Sequence, residues 1–253
     1  MNLYSAYDYL CNEPYYIEGI GNVRCPTLRD IRKVTYNHFS LFSNILSMTL
    51  ETYVDTFGLT EAFQALDEEQ RSKYSIFYLM LFGNTQLLLS MLKLFIVDSI
   101  KLNEETNEFI TYNVDENGKE NNVGIICNEN FDTLRNELQC ILGIKEPAEK
   151  EQKFKNEYAR KMYEQFKQHA QKQKKESDEN FEFDNMIKKY CTHNKVAINI
   201  MNVWDMTYYQ FVTMFKEYGI GRQHDFSDMM AANTFSYKKS TDYKAMDYMK
   251  KIE

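Results

Sequence analysis

The chain has 253 residues, of which 43% are hydrophobic, 15% aromatic and 26% charged, and it carries a formal net charge of -7. This length is enough to bury a substantial core, and the acidic balance argues against a protein whose main task is to neutralise nucleic-acid phosphates. Because the chain has only 9 glycines and 3 prolines, long helices meet few interruptions, and we expect a mainly α fold.

The first quarter of the chain predicts a hairpin followed by helices. Residues 15–24 alternate large and small side chains around Gly19 and Gly21, as a short β-hairpin does. Thr27 is placed to cap a helix, and apolar residues at helical spacing continue from there to about Phe57. A short helix is expected from Thr60, and the entry to a core helix from about residue 68.

Residues 74–97 form a long apolar stretch that resembles a membrane span. The pair Gly83-Asn84 breaks this stretch, and Ser90 and Lys93 interrupt its second half. Each uninterrupted piece is shorter than the roughly 20 residues that a bilayer requires. The pattern therefore predicts two buried core helices, the first ending at Gly83 and the second capped by Asn84 or Thr85.

Residues 107–142 are typical of a β-hairpin that leads into a helix. Two strand-like runs, 109–114 and 123–126, flank a polar turn that contains Asn117-Gly118. A helix is expected over 128–142, capped by Asn128 or Asn130. Since a two-stranded ribbon is marginal alone, we expect this one to lie on a helix.

The composition changes sharply over residues 145–178, where almost every position is charged or an amide. The exceptions recur at four-residue intervals and are Phe154, Tyr158, Met162 and Phe166. This spacing predicts a narrow apolar seam on a long solvated helix that projects or packs against a partner. The alternative is a charged linker helix whose rings contact its own domain.

A row of aromatic residues at helical spacing marks the segment that follows. Its members are Trp204, Tyr208, Phe211, Phe215 and Tyr218. Such a row is either an exposed hot spot for a partner or part of a core. Asp205 or Thr207 is the expected N-cap. After Gly219 and Gly221 the chain becomes polar, and we expect one more short helix over 225–232 and frayed last residues.

The sequence contains no motif that points to catalysis. Phosphate-binding, nucleophile-elbow, zinc-protease and calcium-loop patterns are absent, and the four histidines are scattered singly. The five cysteines include no CxxC pair, which predicts buried free thiols in a reducing compartment. No basic and apolar signal peptide opens the chain. We therefore expect a non-enzymatic cytoplasmic protein with no metal, cofactor or catalytic residues.

These patterns predict a multi-helix bundle with a small β-hairpin and a long protruding charged helix. Residues 1–143 would form a helical core with the hairpin at about 107–126, and residues 144–180 a charged insert or linker. Residues 181–253 would supply aromatic helices that complete the core, followed by a frayed tail.

Four features together resemble a family of phage proteins. They are residues 14–31 (PYYIEGIGNVRCPTLRDI), the hairpin and helix over 107–142, the charged insert, and residues 202–211 (NVWDMTYYQF). The combination is similar to proteins encoded among the tail genes of phages of Gram-positive bacteria, which are described as tail assembly chaperones or as proteins of unknown function. The resemblance covers most of the chain and carries no catalytic residues.

The resemblance implies a helical adaptor that binds the tape-measure protein, or another tail protein, during virion assembly in the cytoplasm of the bacterial host. The expected partner-binding surfaces are the seam from Phe154 to Phe166 and any exposed part of the row from Trp204 to Phe215. No membrane is expected, nucleic acid is disfavoured, and the oligomeric state stays open. The alternative function is a phage-encoded inhibitor that acts by contact on a host defence enzyme or nuclease.

Overall fold

The structure, a computed structural model, describes residues 4–68, 71, 74–144 and 182–232. The chain divides into two compact units. Unit 1 comprises Met1–Glu151 and Trp204–Gln210, and unit 2 comprises Gln152–Val203 and Phe211–Glu253. The described residues are mainly helical, as predicted, and they include a two-stranded and a three-stranded sheet. The charged helix expected within residues 145–178 and the frayed tail lie outside the described residues.

Unit 1 contains the N-terminal hairpin, a series of helices and the larger sheet. In chain order its elements are α1 (Ala6–Tyr9), β1 (Tyr15–Ile17), β2 (Gly21–Val23), α2 (Leu28–Val34), α3 (Tyr36–Leu46), α4 (Leu50–Thr56), α5 (Thr60–Gln64), α6 (Ile76–Phe95), β3 (Ser99–Asn103), β4 (Glu108–Val114), β5 (Glu120–Ile126) and α7 (Asn128–Ile141).

The predicted N-terminal hairpin is confirmed. Strands β1 and β2 pair antiparallel with Ile17 opposite Gly21. The hairpin lies directly on the larger sheet, because the Ile125 N–H of β5 donates to the Gly19 carbonyl at 2.9 Å. Its other end is tied to α6, where the Arg24 N–H donates to the Phe95 carbonyl at 2.8 Å.

The hairpin predicted at 107–126 is part of a three-stranded antiparallel sheet in the order β3-β4-β5. The strands flanking the Asn117-Gly118 turn are confirmed, but strand β3 was not expected. It is short, and only Ile100 among its five residues is buried. The alternation of apolar and polar residues is therefore too weak to predict a strand from the sequence. The strand forms because its backbone pairs with β4, where Ile100 lies opposite Thr111.

The helical pattern predicted from Thr27 to about Phe57 is confirmed, and it is divided into three helices. Thr27 caps α2 as predicted, its hydroxyl accepting the Asp30 N–H at 3.1 Å. The first break is Thr35, at φ 71°. The second lies between Leu46 and Leu50, where a side chain from another helix satisfies the exposed carbonyl groups: Arg135 Nε of α7 donates to the Leu46 carbonyl at 2.8 Å.

The core helix α6 begins at Ile76, later than expected, where the Ser75 hydroxyl accepts the Tyr78 N–H at 3.2 Å. Its predicted division is confirmed, because Asn84 departs from helical geometry with φ -156° and ψ 70°. As expected of a cap, Asn84 Oδ1 accepts the Leu87 N–H at 3.1 Å. Within the described ranges α6 is the one helix long and apolar enough to cross a membrane, a property that buried core helices share.

Aromatic and aliphatic side chains from α3, α6, β4 and α7 form the core of unit 1. The Phe77 ring of α6 lies 5.1 Å from Phe131 of α7 and 6.3 Å from Phe109 of β4, measured between centroids. Phe42 of α3 contacts Phe95 at 6.1 Å. Of the five free cysteines only Cys25 is buried, and Cys11 is exposed, so the expectation of buried thiols holds for Cys25 alone.

Unit 2 is described through α8 (Phe183–His193) and residues 211–232 of α9 (Tyr208–Ala232). A 3-10 turn (Val203–Asp205) lies where the chain passes from unit 2 to unit 1. Thr207 caps α9 as predicted, accepting the Gln210 N–H at 3.1 Å. The helix end expected near Gly219 and Gly221 is wrong, because α9 runs unbroken through both glycines to Ala232. The residues predicted as a separate short helix therefore form its last two turns.

The continuity of α9 has a measurable consequence at Gly219. A Cβ built there meets no atom within 4 Å, and alanine is favoured over glycine inside a helix by about 1 kcal/mol. We expect Gly219→Ala to raise the free energy of unfolding of unit 2 by up to about 1 kcal/mol, measured by urea denaturation. A decrease in stability would contradict an unbroken helix at this position.

Candidate protein-binding site

The aromatic row predicted from sequence is divided between the two units. Trp204 and Tyr208 belong to unit 1, where the Tyr208 ring meets Phe39 edge to face at 5.0 Å. The Tyr208 N–H donates to the Pro26 carbonyl at 2.9 Å. Burial, with smaller contributions from Tyr36 and Cys25, raises the pKa of the Tyr208 hydroxyl to about 12. Tyr208 is thus a packing residue of unit 1, and Trp204 is half-buried.

Phe211 and Phe215 belong to unit 2, where Phe211 is fully buried. Its ring packs edge to face against Phe183 at 5.3 Å and Tyr190 at 5.8 Å, and it stacks on Phe215 at 6.1 Å. Phe211 therefore builds the core of this unit and offers no surface to a partner. The other expected binding residues, Phe154, Tyr158, Met162 and Phe166, lie outside the described residues.

Unit 2 exposes apolar side chains in the loop after α8, at three positions that form the loop patch: Val196, Ile200 and Met201. Met201 is 80% exposed. Asparagine side chains order this loop: Asn194 Oδ1 accepts the Val196 N–H at 3.0 Å and the Ile198 N–H at 3.2 Å, and Asn199 Oδ1 accepts the Met201 N–H at 2.9 Å. A loop held by its own hydrogen bonds loses little conformational entropy on binding.

A second exposed apolar set, the helix patch, lies on the last turns of α9 and consists of Phe226, Met229 and Met230. The three residues follow helical i, i+3, i+4 spacing, so their side chains share one face. Phe226 is 59% exposed and Met229 65%. Aromatic and methionine side chains are the types that protein interfaces favour, and methionine adapts its shape to different partners.

A groove of about 440 Å³ runs between the loop after α8 and α9. Val196 of the loop patch lines one side, and Asp225 and Asp228 of α9 line the other. Lys195 Nζ binds Asp225 Oδ2 at 2.9 Å. This hydrogen bond, followed by the charges of Lys195, Arg222 and His224, lowers the pKa of the Asp225 carboxyl. Asp225 consequently stays ionised at neutral pH.

Tyr190, whose ring lines the same groove, is almost fully buried, and its hydroxyl has no hydrogen-bond partner among the described residues. Its ring packs edge to face on Tyr218 at 5.8 Å. The groove thus combines an aromatic base with a polar rim of both charges, an arrangement typical of a site that receives an amphipathic segment.

Sequence reasoning missed the two patches. The helix patch was assigned to a separate short helix, because two glycines in three residues usually end one. Had α9 been taken as continuous, the spacing of Phe226, Met229 and Met230 would have shown their shared face. In the described ranges no three His, Cys, Asp or Glu side chains are grouped closely enough to hold a metal ion.

Comparison with known families identifies one relationship. Residues 171–253, which include the loop patch, the helix patch and the groove, match the family model of the YomV second domain. This family is phage-like and is found in Bacillus prophage, and the match supports a phage origin of the chain. No curated protein and no solved structure matches the chain.

Proposed function

We propose that this chain is a phage-encoded adaptor that acts without catalysis, in the cytoplasm of the host bacterium, by binding an amphipathic helix of another phage protein. The partner that suits this role is the tape-measure protein, as in the tail assembly chaperones that the sequence resembles. The observation that carries the proposal is the exposed helix patch on α9, the same helix that forms one side of the groove of unit 2. Both features lie in the segment that matches a phage-like family.

The chemistry of unit 2 favours a helical protein partner. Phe226 and Met230 lie one turn apart on α9, so a partner helix that crosses this face can cover both. Arg222 is exposed and lies one turn before Phe226 on α9, so it places a charged side chain beside the apolar patch. Apolar anchors surrounded by a polar rim are the usual anatomy of a specific interface.

The test is capture of the tape-measure protein of the same phage by the full chain in a co-expression pull-down. The variant Phe226→Ala/Met229→Ala/Met230→Ala removes the helix patch. If each truncation costs at least about 1 kcal/mol of binding, affinity falls on the order of 100-fold. Because these side chains are exposed, the circular dichroism spectrum and the unfolding midpoint should change little.

The matched control is Phe82→Ala in unit 1, which removes an equally exposed ring, 66% accessible, far along the chain from the helix patch. It should capture the tape-measure protein as the unsubstituted chain does. Equal capture by the triple variant and the control would contradict the proposal. Capture of a host nuclease or defence enzyme in place of a tail protein would replace the adaptor role by that of an inhibitor.

A further inference from the structure

A second cavity, also of about 440 Å³, lies in unit 1 beside the N-terminal segment. Three tyrosines, Tyr4, Tyr7 and Tyr15, line it together with two carboxylates, Asp8 and Glu13. None of the described residues that line this cavity is a lysine, arginine or histidine. The described part of the wall therefore offers π-electron faces and negative charge, with no cationic side chain to balance them.

Two of the rings and one carboxylate of this cavity are held in place. The Tyr4 and Tyr15 ring centroids are 4.2 Å apart. The Asp8 carboxylate accepts the Ser5 N–H at 2.8 Å and the Ser5 hydroxyl at 2.6 Å. These hydrogen bonds lower the pKa of Asp8, so this carboxylate is charged at neutral pH. Tyr4, Tyr15 and Asp8 are thus held in position before any ligand arrives.

A buried carboxylate adds to the negative field. Glu137 is 2% exposed and accepts the Tyr9 hydroxyl at 2.6 Å. Burial raises the pKa of Tyr4, and the charges of Glu137 and Asp8 raise it further. The negative charges of Glu137 and Asp8, which disfavour a tyrosinate at this position, favour a cation there. The Tyr15 hydroxyl is buried and has no hydrogen-bond partner among the described residues.

We propose that this cavity binds a guanidinium group, with the tyrosine rings against its plane and the Asp8 and Glu13 carboxylates balancing its charge. Guanidinium is the cation that stacks on aromatic rings and donates to carboxylates through a planar fork of N–H groups. The group belongs to an arginine side chain of a basic protein segment or to a small guanidino compound. The site is independent of the partner surface of unit 2.

The test is titration of the full chain with N-acetylarginine amide, followed by NMR of the tyrosine ring resonances. We expect saturable binding that weakens as salt is added, because the carboxylates are exposed to screening. N-acetylcitrulline amide, a neutral molecule of almost the same shape, should bind about tenfold or more weakly, since it lacks the charge that cation–π and ionic contacts need. Methylguanidinium tests whether a small guanidino compound is sufficient. Binding comparable to that of N-acetylarginine amide would show that the guanidinium group alone is recognised, and weaker binding would show that the rest of the arginine side chain contributes.

Two variants and two controls locate the site. Tyr7→Leu and Glu13→Gln change exposed side chains that line the cavity, and each should weaken N-acetylarginine amide about fivefold. Tyr16→Leu and Glu18→Gln change exposed side chains nearby that do not line it, and binding should be unchanged. Absence of saturable binding, equal binding of the citrulline compound, or equal losses in the controls would overturn the proposal.

Discussion

Replacement of Phe211 by alanine is expected to destabilise unit 2 by about 3–5 kcal/mol, the usual cost of removing a buried phenylalanine. Phe211 is fully buried, and its ring touches Phe183, Tyr190 and Phe215. Truncation removes the ring on which three others pack and leaves a cavity between α8 and α9. Because unit 2 is small, a loss of this size would open it at temperatures where unit 1 stays folded.

Hydrogen exchange followed by mass spectrometry measures this effect, because it reports on peptides from each unit separately. Peptides within residues 183–193 and 211–232 should exchange much faster in Phe211→Ala. The matched control is Phe226→Ala on the same helix, which removes an exposed ring and should change stability by no more than about 0.5 kcal/mol. Equal effects of the two substitutions would show that Phe211 is not the core residue of this unit.

The second large effect is expected at Gly124, where alanine should destabilise unit 1 by about 1–3 kcal/mol or more. A Cβ at this position would lie 2.6 Å from the Gly19 carbonyl oxygen and 2.7 Å from the carbonyl carbon of Ile20. These are backbone atoms, which cannot rotate away as a side chain does. The hairpin β1–β2 would have to move off strand β5, breaking the hydrogen bond from Ile125 to Gly19.

Urea denaturation, followed by exchange at peptides over residues 15–24 and 120–126, measures this loss. Gly83→Ala is the control, since a Cβ there meets no atom within 4 Å and Gly83 has no positive φ. Stability of the control should stay the same or rise by up to about 1 kcal/mol. Full retention of stability by Gly124→Ala would mean that the hairpin does not lie against β5.

The close approach at Gly124 also explains how the N-terminal hairpin reaches the core. The buried Thr111 of β4 donates its hydroxyl to the Ile20 carbonyl at 2.6 Å, and Asp98 accepts the Asn22 N–H at 2.6 Å. These two hydrogen bonds satisfy polar groups of the hairpin next to Ile20 and Val23, which are fully buried. Sequence alone predicts the hairpin but not its place.

Features of the candidate site differ in how far sequence can predict them. The aromatic row on α9 was recognised, yet its periodicity cannot distinguish a core ring such as Phe211 from an exposed one. The loop patch has no periodic signal at all, because the asparagines 194, 199 and 202 set its geometry through side-chain hydrogen bonds. Whether an apolar side chain is exposed depends on what the rest of the chain places against it.

The amino-acid sequence by itself determined the mainly helical fold and the elements with local signals. The caps at Thr27, Asn84 and Thr207 each accept a hydrogen bond from a residue three positions later. The hairpin turn at Gly19 also depends on neighbouring residues only, so each of these features can be predicted from the local sequence.

Only the tertiary structure decided the features that depend on distant residues. Strand β3 exists because β4 pairs with it, and the break after Leu46 is satisfied by Arg135, which is 89 positions away. Helix α9 continues through two glycines that a local rule would treat as an end. Local rules sum the preferences of adjacent residues, whereas burial and long-range hydrogen bonds select among the conformations those preferences allow.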